Sequence, residues 1–552
     1  MSGPMGGPMR VRSGAPAWTP RAVAVRLGLA VALLGLATAG GRITASDEYT
    51  MYRLTEALVT RGAVWVEAGN AERGPDGRLY PKAALGQALA AAPFHVVGRV
   101  VAAAFPESRR DLVTRAVTSL LNPFVLGLLA AVLFLLYHAL GASPRGAFFW
   151  SAAACLATPL WVYGKSFLTE PLLALGLAAG LYGAFRFRDG GESRHAFLAG
   201  AAWGFAILVK YAVAPAVLLL ALPFVPQLRR LRAAWPALAA VAAAVLIALA
   251  YNAARTGSPF GSGYGRQATV AAFTTPLFVG LYGLLLSSGK GIIWFAPLVV
   301  LVPAAVGAAW RRLGATALGL VAACAGLTLV YASFEHWAGD GSWGPRYLVP
   351  LVPLALALVV AAGAQEPWHG RGRRALVGAL AAAGLLVQLG GVGIYFGAQM
   401  REAGDYPYTK AMDDPSFMAE SHFNPARTPI AAHWRMLARN AAAHLGGAWP
   451  RITPGAARGR TAGGAGAAGT PGAVSTVEDL RLALPPAQVE ALTGGLDFWW
   501  TYAAYAGLPR LPLLLVAALL FVAAGLAFAR AWSAVRGLEV RPLPQAPDAW
   551  IA

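Results

Sequence analysis

The chain has 552 residues, of which 57% are hydrophobic and only 13% charged, whereas charged residues make up about 25% of an ordinary soluble domain. This composition excludes a typical soluble protein and indicates that most of the chain lies in lipid. The formal net charge of +20 raises the question of nucleic-acid binding, but no DNA- or RNA-binding motif accompanies it and the arginines lie between apolar segments. The two cysteines predict neither a disulfide framework nor a metal cluster.

Apolar segments long enough to cross a bilayer recur from residue 22 to residue 529. At this length a helix is the structure that satisfies its own backbone hydrogen bonds in lipid. We therefore predict an all-α polytopic membrane protein, a bundle of about twelve transmembrane helices. The predicted spans are residues 22–40, 116–140, 147–164, 167–185, 195–209, 211–226, 234–252, 291–310, 314–334, 347–364, 374–398 and 511–529. Two more apolar segments, residues 83–105 and 271–287, are predicted to be re-entrant or juxtamembrane helices that do not cross.

Arginines between the predicted spans decide the orientation. If neither of the two extra segments crosses, twelve arginines in short loops fall on the same side as the basic N-terminus. The short loops on the opposite side then contain only Lys165, Lys210 and Arg346. This asymmetry satisfies the positive-inside rule, so both chain ends are predicted to be cytoplasmic and the protein is predicted to lie in the cytoplasmic (inner) membrane.

This topology divides the chain into a cytoplasmic tail, a transmembrane module, an outer segment, one last span and a second cytoplasmic tail. These parts cover residues 1–21, 22–398, 399–510, 511–529 and 530–552. Within the transmembrane module, the outer loops that are predicted to carry function are residues 41–115, 253–290 and 335–346. The outer segment contains a Gly- and Ala-rich stretch, residues 453–474, that is predicted to be flexible. It ends in Phe498, Trp499 and Trp500, which are typical of an aromatic belt at a membrane surface.

The first outer loop begins with two adjacent carboxylates, Asp47 and Glu48. A carboxylate at the lipid surface can act as a general base, although acids in the first turn of a helix are also favoured by the helix dipole alone. Further along the loop, Lys82 is a candidate partner for a phosphate, and its alternative is simple snorkelling to the interface. Glu170 lies at the outer start of a predicted span, where it is either a site residue or only a helix N-terminal acid.

The second and third outer loops supply the remaining candidates. Tyr264 and Lys290 lie among glycines and serines, which favour either an anion site or an ordinary turn. The third loop offers Arg346 for a phosphate, and its other candidate residues line a substrate site: Glu335, His336, Trp337, Trp343 and Tyr347. Two alternatives stay open for this loop. It can be an interfacial aromatic anchor, or Glu335, His336 and Asp340 can ligate a metal, although their spacing matches no specific metal site.

With these residues in order along the chain, the sequence resembles membrane-embedded glycosyltransferases of the GT-C superfamily. The resemblance is to the branch of protein O-mannosyltransferases and lipid A aminoarabinose transferases, which use phospholipid-carried sugars, and it extends over most of residues 20–400. Asp47-Glu48 matches the acidic pair of the first outer loop in that branch, and Lys82 stands at the position of its lysine. Ala83-Ala84 replaces the two prolines that often follow that lysine.

The resemblance implies an inverting transfer of a sugar from a polyprenyl-phosphate carrier to an acceptor hydroxyl at the outer membrane face. Asp47 is then the base and Glu48 orients it, while Lys82, Lys290, Arg346 and Tyr264 bind the donor and its phosphate. No cofactor and no metal are expected. The alternatives are a flippase or transporter for a lipid-linked sugar, a ligase of oligosaccharides or polymers on a related scaffold, and a scaffold without enzymatic activity.

Overall fold

The structure is a computed structural model that describes residues 19–43, 45–67, 70–339, 342–363, 370–399, 419–452, 491 and 493–539. Several predictions concern other parts of the chain. The flexible stretch at residues 453–474 and Asp340 of the possible metal set lie outside the described residues, as do residues 1–18 and 540–552 of the two predicted tails.

Helices dominate the first half of the described chain, and a short antiparallel pair of strands interrupts them. The elements are α1 Pro20–Thr38, α2 Ser46–Arg61, β1 Ala71–Arg73, β2 Leu79–Pro81, α3 Leu85–Ala102, α4 Glu107–Ser119, α5 Leu121–Ala139, α6 Pro144–Leu156, α7 Leu160–Gly164, α8 Glu170–Gly190 and α9 Ser193–Val209. The two strands pair in the register that places Glu72 opposite Tyr80, so the strand pair ends one residue before Lys82.

The second half is also helical, and short helices of other types join its longer elements. The α-helices are α10 Ala214–Ala221, α11 Leu231–Thr256, α12 Leu277–Leu285, α13 Ile292–Phe295, α14 Val302–Leu313, α15 Ala315–Ser333, α16 Val352–Gly363, α17 Arg371–Gly393, α18 Pro429–Leu445, α19 Trp499–Tyr505 and α20 Arg510–Glu539. The 3-10 helices are Tyr211–Val213, Leu222–Arg229, Gly265–Ala268, Val270–Ala272, Pro297–Leu301, Arg346–Leu351 and Pro425–Arg427, and one π-helix covers Ala419–Phe423.

Nine helical segments in the described part of the chain are long and apolar enough to cross a membrane. They are Pro20–Thr38, Leu85–Ala102, Glu107–Ala139, Tyr211–Arg229, Leu231–Thr256, Ala315–Ser333, Arg346–Gly363, Arg371–Gly393 and Arg510–Leu538. The prediction of an all-α polytopic membrane protein is therefore confirmed, whereas the count of twelve spans is not.

The four predicted spans that are not among these nine segments are two divided segments and two continuous helices. The span at 147–164 divides into α6 and α7, because the chain leaves the helix at Ala157 and restarts after Pro159. The span at 291–310 divides in the same way at Pro297. The spans at 195–209 and 167–185 each form one continuous helix, α9 of 17 residues and α8 of 21 residues, and both lengths lie within the range of about 17–25 residues that can cross a bilayer.

The two apolar segments that were predicted not to cross behave differently. Segment 271–287 contains only the nine-residue helix α12, which is about 14 Å long and cannot cross a hydrocarbon core of about 30 Å. Segment 83–105 forms α3, which is long enough to cross. However, α3 is the first arm of an antiparallel hairpin with α4, in which His95 lies beside Thr118 and Gly98 lies beside Thr114. The hairpin returns the chain toward its starting end and supports the prediction that this segment makes no net crossing.

The aromatic residues before the last span, which are typical of an aromatic belt, also make contacts within the protein. Trp499 and Trp500 donate their indole N–H groups to the carbonyl oxygens of Leu36 and Ala37, at 2.9 and 3.0 Å. The backbone N–H of Trp499 donates to the carbonyl of Ala39 at 2.7 Å. These carbonyls belong to the end of α1, where helix carbonyls lack intrahelical donors. The two tryptophans therefore cap α1 rather than only anchoring the last span at a membrane surface.

One close crossing in the bundle joins α1 to α5. A Cβ added to Gly28 would lie 2.8 Å from the carbonyl oxygen of Gly127, and a Cβ added to Gly127 would lie 2.5 Å from that of Gly28. Small residues permit such approaches between membrane helices, where packing rather than the hydrophobic effect drives association. This contact holds the start of the chain, and with it the first outer loop, against the centre of the bundle.

We expect the substitution Gly127→Ala to lower the thermal unfolding midpoint of the purified protein, because the added methyl group must separate α1 from α5, with a cost of roughly 1–3 kcal/mol for overpacking. Gly378→Ala in α17 is the matched control, since a Cβ there meets nothing within 4 Å. The control should leave the midpoint unchanged or raise it slightly. Equal midpoints for both variants would show that the crossing tolerates a larger separation.

Candidate active site

Three helix starts from distant parts of the sequence meet at one end of the bundle. Asp47 lies in the first turn of α2, Glu170 in the first turn of α8, and Arg346 at the first position of the 3-10 helix Arg346–Leu351. Arg346 Nη1 donates to Asp47 Oδ2 at 2.8 Å, and Arg346 Nε donates to Glu170 Oε1 at 2.7 Å. The structure thus joins three of the predicted site residues in one ion-pair network.

Local sequence explains why each side chain points into this network. Thr169 precedes α8, and Pro171 follows Glu170 in the first turn, where proline needs no N–H partner. The loop before Arg346 turns at Gly344, which has φ +62° and packs its backbone against the ring of Phe295. A residue with a side chain would be strained at this φ and would collide with Phe295. The turn therefore fixes the position from which Arg346 enters the site.

Asp47 is the carboxylate of this network that remains open. Its side chain is 50% exposed, and that of Glu170 is 1% exposed. Burial opposes ionisation of Asp47, but the positive charges of Arg346, Lys210 and Lys82 prevail and hold the pKa of this carboxyl below its usual value. The second oxygen, Oδ1, accepts no hydrogen bond from the described residues. Asp47 is consequently ionised at neutral pH and has an oxygen available to a ligand.

Lys210 is a further candidate residue, which the sequence did not single out for the site. Its Nζ lies 4.5 Å from the ring centre of Tyr347 and 5.6 Å from that of Tyr331, and these two rings stack at 4.3 Å. Lys210 lines a small cavity together with Glu170 and Arg346. Burial lowers the pKa of Lys210 to about 8, although Glu170 and Asp47 favour its charged form.

Glu170 is the buried carboxylate that shares a cavity with Lys210. Its second carboxylate oxygen, Oε2, is buried and accepts no hydrogen bond in the described part of the chain. A buried carboxylate oxygen without a donor is costly, and native structures usually satisfy it with a partner, a water or a ligand. The cavity that Glu170 shares with Lys210 and Arg346 therefore contains a carboxylate oxygen without a donor among the described residues. In the sequence, Lys210 appears as a single lysine between two apolar segments. Its charge contributed there only to the predicted orientation of the chain.

Lys82 and Tyr264 reach the same region because Arg255 fixes their loops. Arg255 is 3% exposed, and its Nη1 donates to the carbonyls of Pro81 and Lys82 at 3.3 and 3.1 Å. Its Nη2 donates to the carbonyl of Ser262, two residues before Tyr264. The ammonium of Lys82 lies 3.8 Å from Glu72. Burial and the nearby Asp47 raise the pKa of Tyr264 to about 12, so its hydroxyl is a donor at neutral pH.

Glu48 faces the opposite way from Asp47. It is 2% exposed, and its two oxygens accept from the backbone N–H groups of Ala45 at 3.0 Å and Phe167 at 2.8 Å. The first contact caps α2, and the second holds the loop that leads to Glu170. These contacts describe a positioning role for Glu48, and a direct role in orienting an acceptor stays a prediction.

Burial argues against three of the predicted ligand contacts. Lys290 is 1% exposed, and its Nζ donates to the carbonyl of Ser342 at 2.7 Å, so it supports the third outer loop from within. Trp337 and Trp343 are each 1% exposed and pack among other aromatic rings. Trp343 also donates to Gln388 at 3.0 Å. Lys290 is therefore engaged within the protein and the two tryptophans pack in the core, while their contacts with a ligand stay predictions.

The other residues of the third loop lie at the edge of the site. Glu335 pairs with Arg266, and His336 Nε2 lies 3.7 Å from Glu335. Tyr347 contributes through its stack with Tyr331 beside Lys210. Among the described residues, no group of three or more His, Cys, Asp or Glu side chains could hold a metal ion.

A second cluster of ion pairs, formed by Arg42, Lys165 and Asp497, is buried in the protein behind the candidate active site. Arg42 Nε donates to Asp497 Oδ1 at 2.8 Å, and Lys165 Nζ lies 2.6 Å from Asp497 Oδ2. All three side chains are 5–6% exposed. The backbone N–H of Asp497 donates to the carbonyl of Gly393 at 2.9 Å. This cluster, which the sequence analysis did not identify, joins the first outer loop, the loop before Glu170 and the segment that precedes the last span.

We expect Glu48→Gln to destabilise the protein by about 1–3 kcal/mol, because the amide has one acceptor oxygen for two backbone N–H groups and leaves one of them unsatisfied. The thermal unfolding midpoint of the purified protein measures this loss. Glu192→Gln is the control, since Glu192 is 47% exposed in a surface pair with Arg194 and should change stability by about 1 kcal/mol or less. Equal midpoints for Glu48→Gln and the wild type would contradict the positioning role.

Comparison with known proteins leaves the family open. No protein-family model matches the chain, and no curated protein matches it. The chain is similar to a crystal structure of ArnT from Cupriavidus metallidurans bound to undecaprenyl phosphate, with 16% identity, a TM-score of 0.46, and coverage of 77% of this chain and 71% of that chain. The apo structure of the same protein gives 16% identity, a TM-score of 0.41, and coverage of 77% and 69%. At these values the likeness decides neither the fold nor the activity of this chain.

Proposed function

We propose that this protein is an inverting glycosyltransferase that moves a sugar from a polyprenyl-phosphate carrier to an acceptor hydroxyl. The observation that carries the proposal is the network of Asp47, Arg346 and Glu170, in which an ionised, half-exposed carboxylate lies beside a group of cations. A base next to an anion site is what this reaction needs. The resemblance of the motifs around Asp47 and Lys82 to the GT-C branch supports the same assignment.

The reaction begins when the free oxygen of Asp47 accepts the proton of the acceptor hydroxyl. The acceptor oxygen then forms a bond to the anomeric carbon as the bond from that carbon to the phosphate oxygen breaks, on the opposite face of the sugar. The products are the glycosylated acceptor, protonated Asp47 and a polyprenyl phosphate with one more negative charge. The carboxylate must approach the hydroxyl oxygen within about 2.6–3.2 Å.

Cations around Asp47 stabilise the charge that develops on the leaving phosphate. Arg346, Lys82 and Lys210 are the groups in reach, and a well-placed donor in such a site contributes on the order of 3 kcal/mol to the transition state. Lys210 takes the place that the sequence analysis gave to Lys290. Tyr264 adds a neutral hydroxyl donor. Because Arg346 already pairs with Asp47, a phosphate that attracts Arg346 also frees the carboxylate for the acceptor.

The arginine distribution supports the placement of this site at the outer face of the cytoplasmic membrane. Asp47, Lys82, Glu170 and Arg346 are at the ends of helices rather than in their middle. Transporters for polar substrates usually place such groups near the bilayer midplane, so the geometry favours a transferase over a flippase. The nature of the sugar and of the acceptor is open, and with it the choice between single-sugar transfer and polymer ligation.

Asp47→Asn should lower sugar transfer by about 100-fold or more, since general-base catalysis contributes roughly that factor, while the amide keeps the size of the side chain. The assay supplies purified protein in vesicles with radiolabelled polyprenyl-phosphate sugars and a cell-envelope extract as the source of acceptor, and follows loss of label from the carrier.

Asp111→Asn is the matched control for this substitution, because Asp111 is 52% exposed and pairs with Arg115 within α4. It should transfer sugar like the wild type. Equal transfer by Asp47→Asn and the wild type would remove Asp47 as the base. Movement of the labelled lipid across the bilayer without transfer would instead identify a flippase.

The pH profile tests Lys210. Its ammonium is lost as the pH rises through the pKa of about 8, so kcat/KM of the wild type should fall above about pH 8 if this charge stabilises the leaving phosphate. Lys210→Arg retains a positive charge at all these pH values and should keep its activity at pH 9, whereas Lys210→Met should be impaired throughout. Identical profiles for the wild type and Lys210→Arg would exclude Lys210 from the charge stabilisation.

A further inference from the structure

A large groove lies at the opposite end of the bundle from Asp47. It has a volume of about 770 Å³, within the range of about 300–1,000 Å³ of typical small-molecule pockets. Its floor is α6, and its walls are α17 and α20. The lining residues are Ser143, Arg145, Phe148, Phe149, Ala152, Ala153, Leu156, Ala157, Arg374, Ala381, Ala382, Leu385 and Trp532. Nothing in the proposed reaction uses this groove.

The lining is polar at one end and apolar along the rest. Arg145 lies in the first turn of α6 and Arg374 in the first turn of α17, so both guanidinium groups belong to the same end. From Arg145 to Ala157 the groove follows α6 for about 18 Å at 1.5 Å per residue. The inner end is closed, because Gly384 packs directly against the carbonyl of Ala157. This shape fits a molecule with one anionic group and a hydrocarbon chain.

The order of elements shows which end carries the arginines. Helix α6 leads through α7 to Lys165, which belongs to the cluster behind the candidate active site. Helix α17 ends at Gly393, whose carbonyl accepts from Asp497 of the same cluster. Arg145 and Arg374, at the other ends of these helices, are therefore remote from Asp47. On the predicted topology they lie at the cytoplasmic surface.

We propose that the groove binds an anionic glycerophospholipid of the leaflet on the arginine side, with its phosphate at Arg145 and Arg374 and one acyl chain along α6. Basic groups between membrane helices on this side of a bilayer attract anionic head groups. The surrounding surface is apolar and open, with Leu386 55% and Leu389 38% exposed, so an acyl chain reaches the groove directly from the bilayer. A polyprenyl-phosphate donor does not suit it, because its phosphate would lie at the opposite end from the base.

The test measures lipid retained by the purified full-length protein in native mass spectrometry, after exposure to phosphatidylglycerol, phosphatidylcholine or undecaprenyl phosphate. Phosphatidylglycerol should be retained in preference to phosphatidylcholine. The double variant Arg145→Gln/Arg374→Gln should lower this retention about tenfold or more, since each arginine near anionic lipid contributes roughly 1 kcal/mol. Retention of undecaprenyl phosphate, which the proposed active site also binds, should be unchanged in the double variant. Equal retention of phosphatidylglycerol and phosphatidylcholine by the wild type, or an equal loss of undecaprenyl phosphate in the double variant, would overturn the proposal.

Two further variants distinguish lipid binding in the groove from general attraction of anionic lipid to a basic surface. Arg371→Gln/Arg373→Gln also removes two positive charges, both from the turn of α17 that contains Arg374, but neither residue lines the groove, so retention should stay near that of the wild type. Ala382→Trp fills the groove from an exposed position of its wall and should lower retention with both arginines intact. Equal loss in the two double variants, or full retention by Ala382→Trp, would place the lipid elsewhere.

Discussion

The geometry of the candidate site depends on Arg346, because this one guanidinium neutralises a fully buried carboxylate and orients an exposed one. Glu170 is 1% exposed, and a buried charge without a partner is strongly destabilising. Pairing with Arg346 removes that cost and brings the start of α8 against the third outer loop. The same guanidinium then holds Asp47 at the start of α2. Three loops that are remote in sequence are positioned relative to one another by this single side chain.

Asp47 and Glu48 show how neighbouring residues of the same chemical type come to serve different purposes. Successive residues of a helix differ by about 100° in direction, so when one faces the candidate active site the other faces the bundle. Asp47 consequently lies half in water beside cations, whereas Glu48 accepts two backbone N–H groups and fixes the frame around its neighbour. The acidic pair therefore combines an exposed carboxylate with the structural support that holds it in place.

Charged residues at helix starts were easier to select from the sequence than residues between helices. Asp47, Glu170 and Arg346 were selected because charged residues beside apolar segments are costly in lipid, and the structure brings the three together. Trp337 and Trp343 were assigned to a substrate site, but an aromatic residue near a span has the same sequence pattern whether it faces lipid head groups or the core, and the structure buries both. Lys210 was overlooked because it occupies a one-residue connection. Its importance follows from two stacked tyrosines and Glu170, which only the folded chain brings near it.

The number of spans could not be derived from apolar length for a related reason. Pro159 and Pro297 divide segments that are continuous in hydropathy, and α3 has the composition of a span while it folds back along α4. The hydropathy of a segment indicates whether it lies in lipid or in water. Helix breaks and hairpins instead depend on where backbone N–H and C=O groups find hydrogen-bond partners.

The buried cluster of Arg42, Lys165 and Asp497 has a consequence for how the protein is made. Its single carboxylate enters the chain 455 residues after Arg42 and 332 residues after Lys165. Until the ribosome has delivered Asp497, the two cations have no carboxylate from this cluster, and the outer loops that they anchor remain unsecured. Prematurely terminated chains that lack this residue would retain two poorly compensated charges, a feature by which membrane quality control can distinguish them from the complete protein.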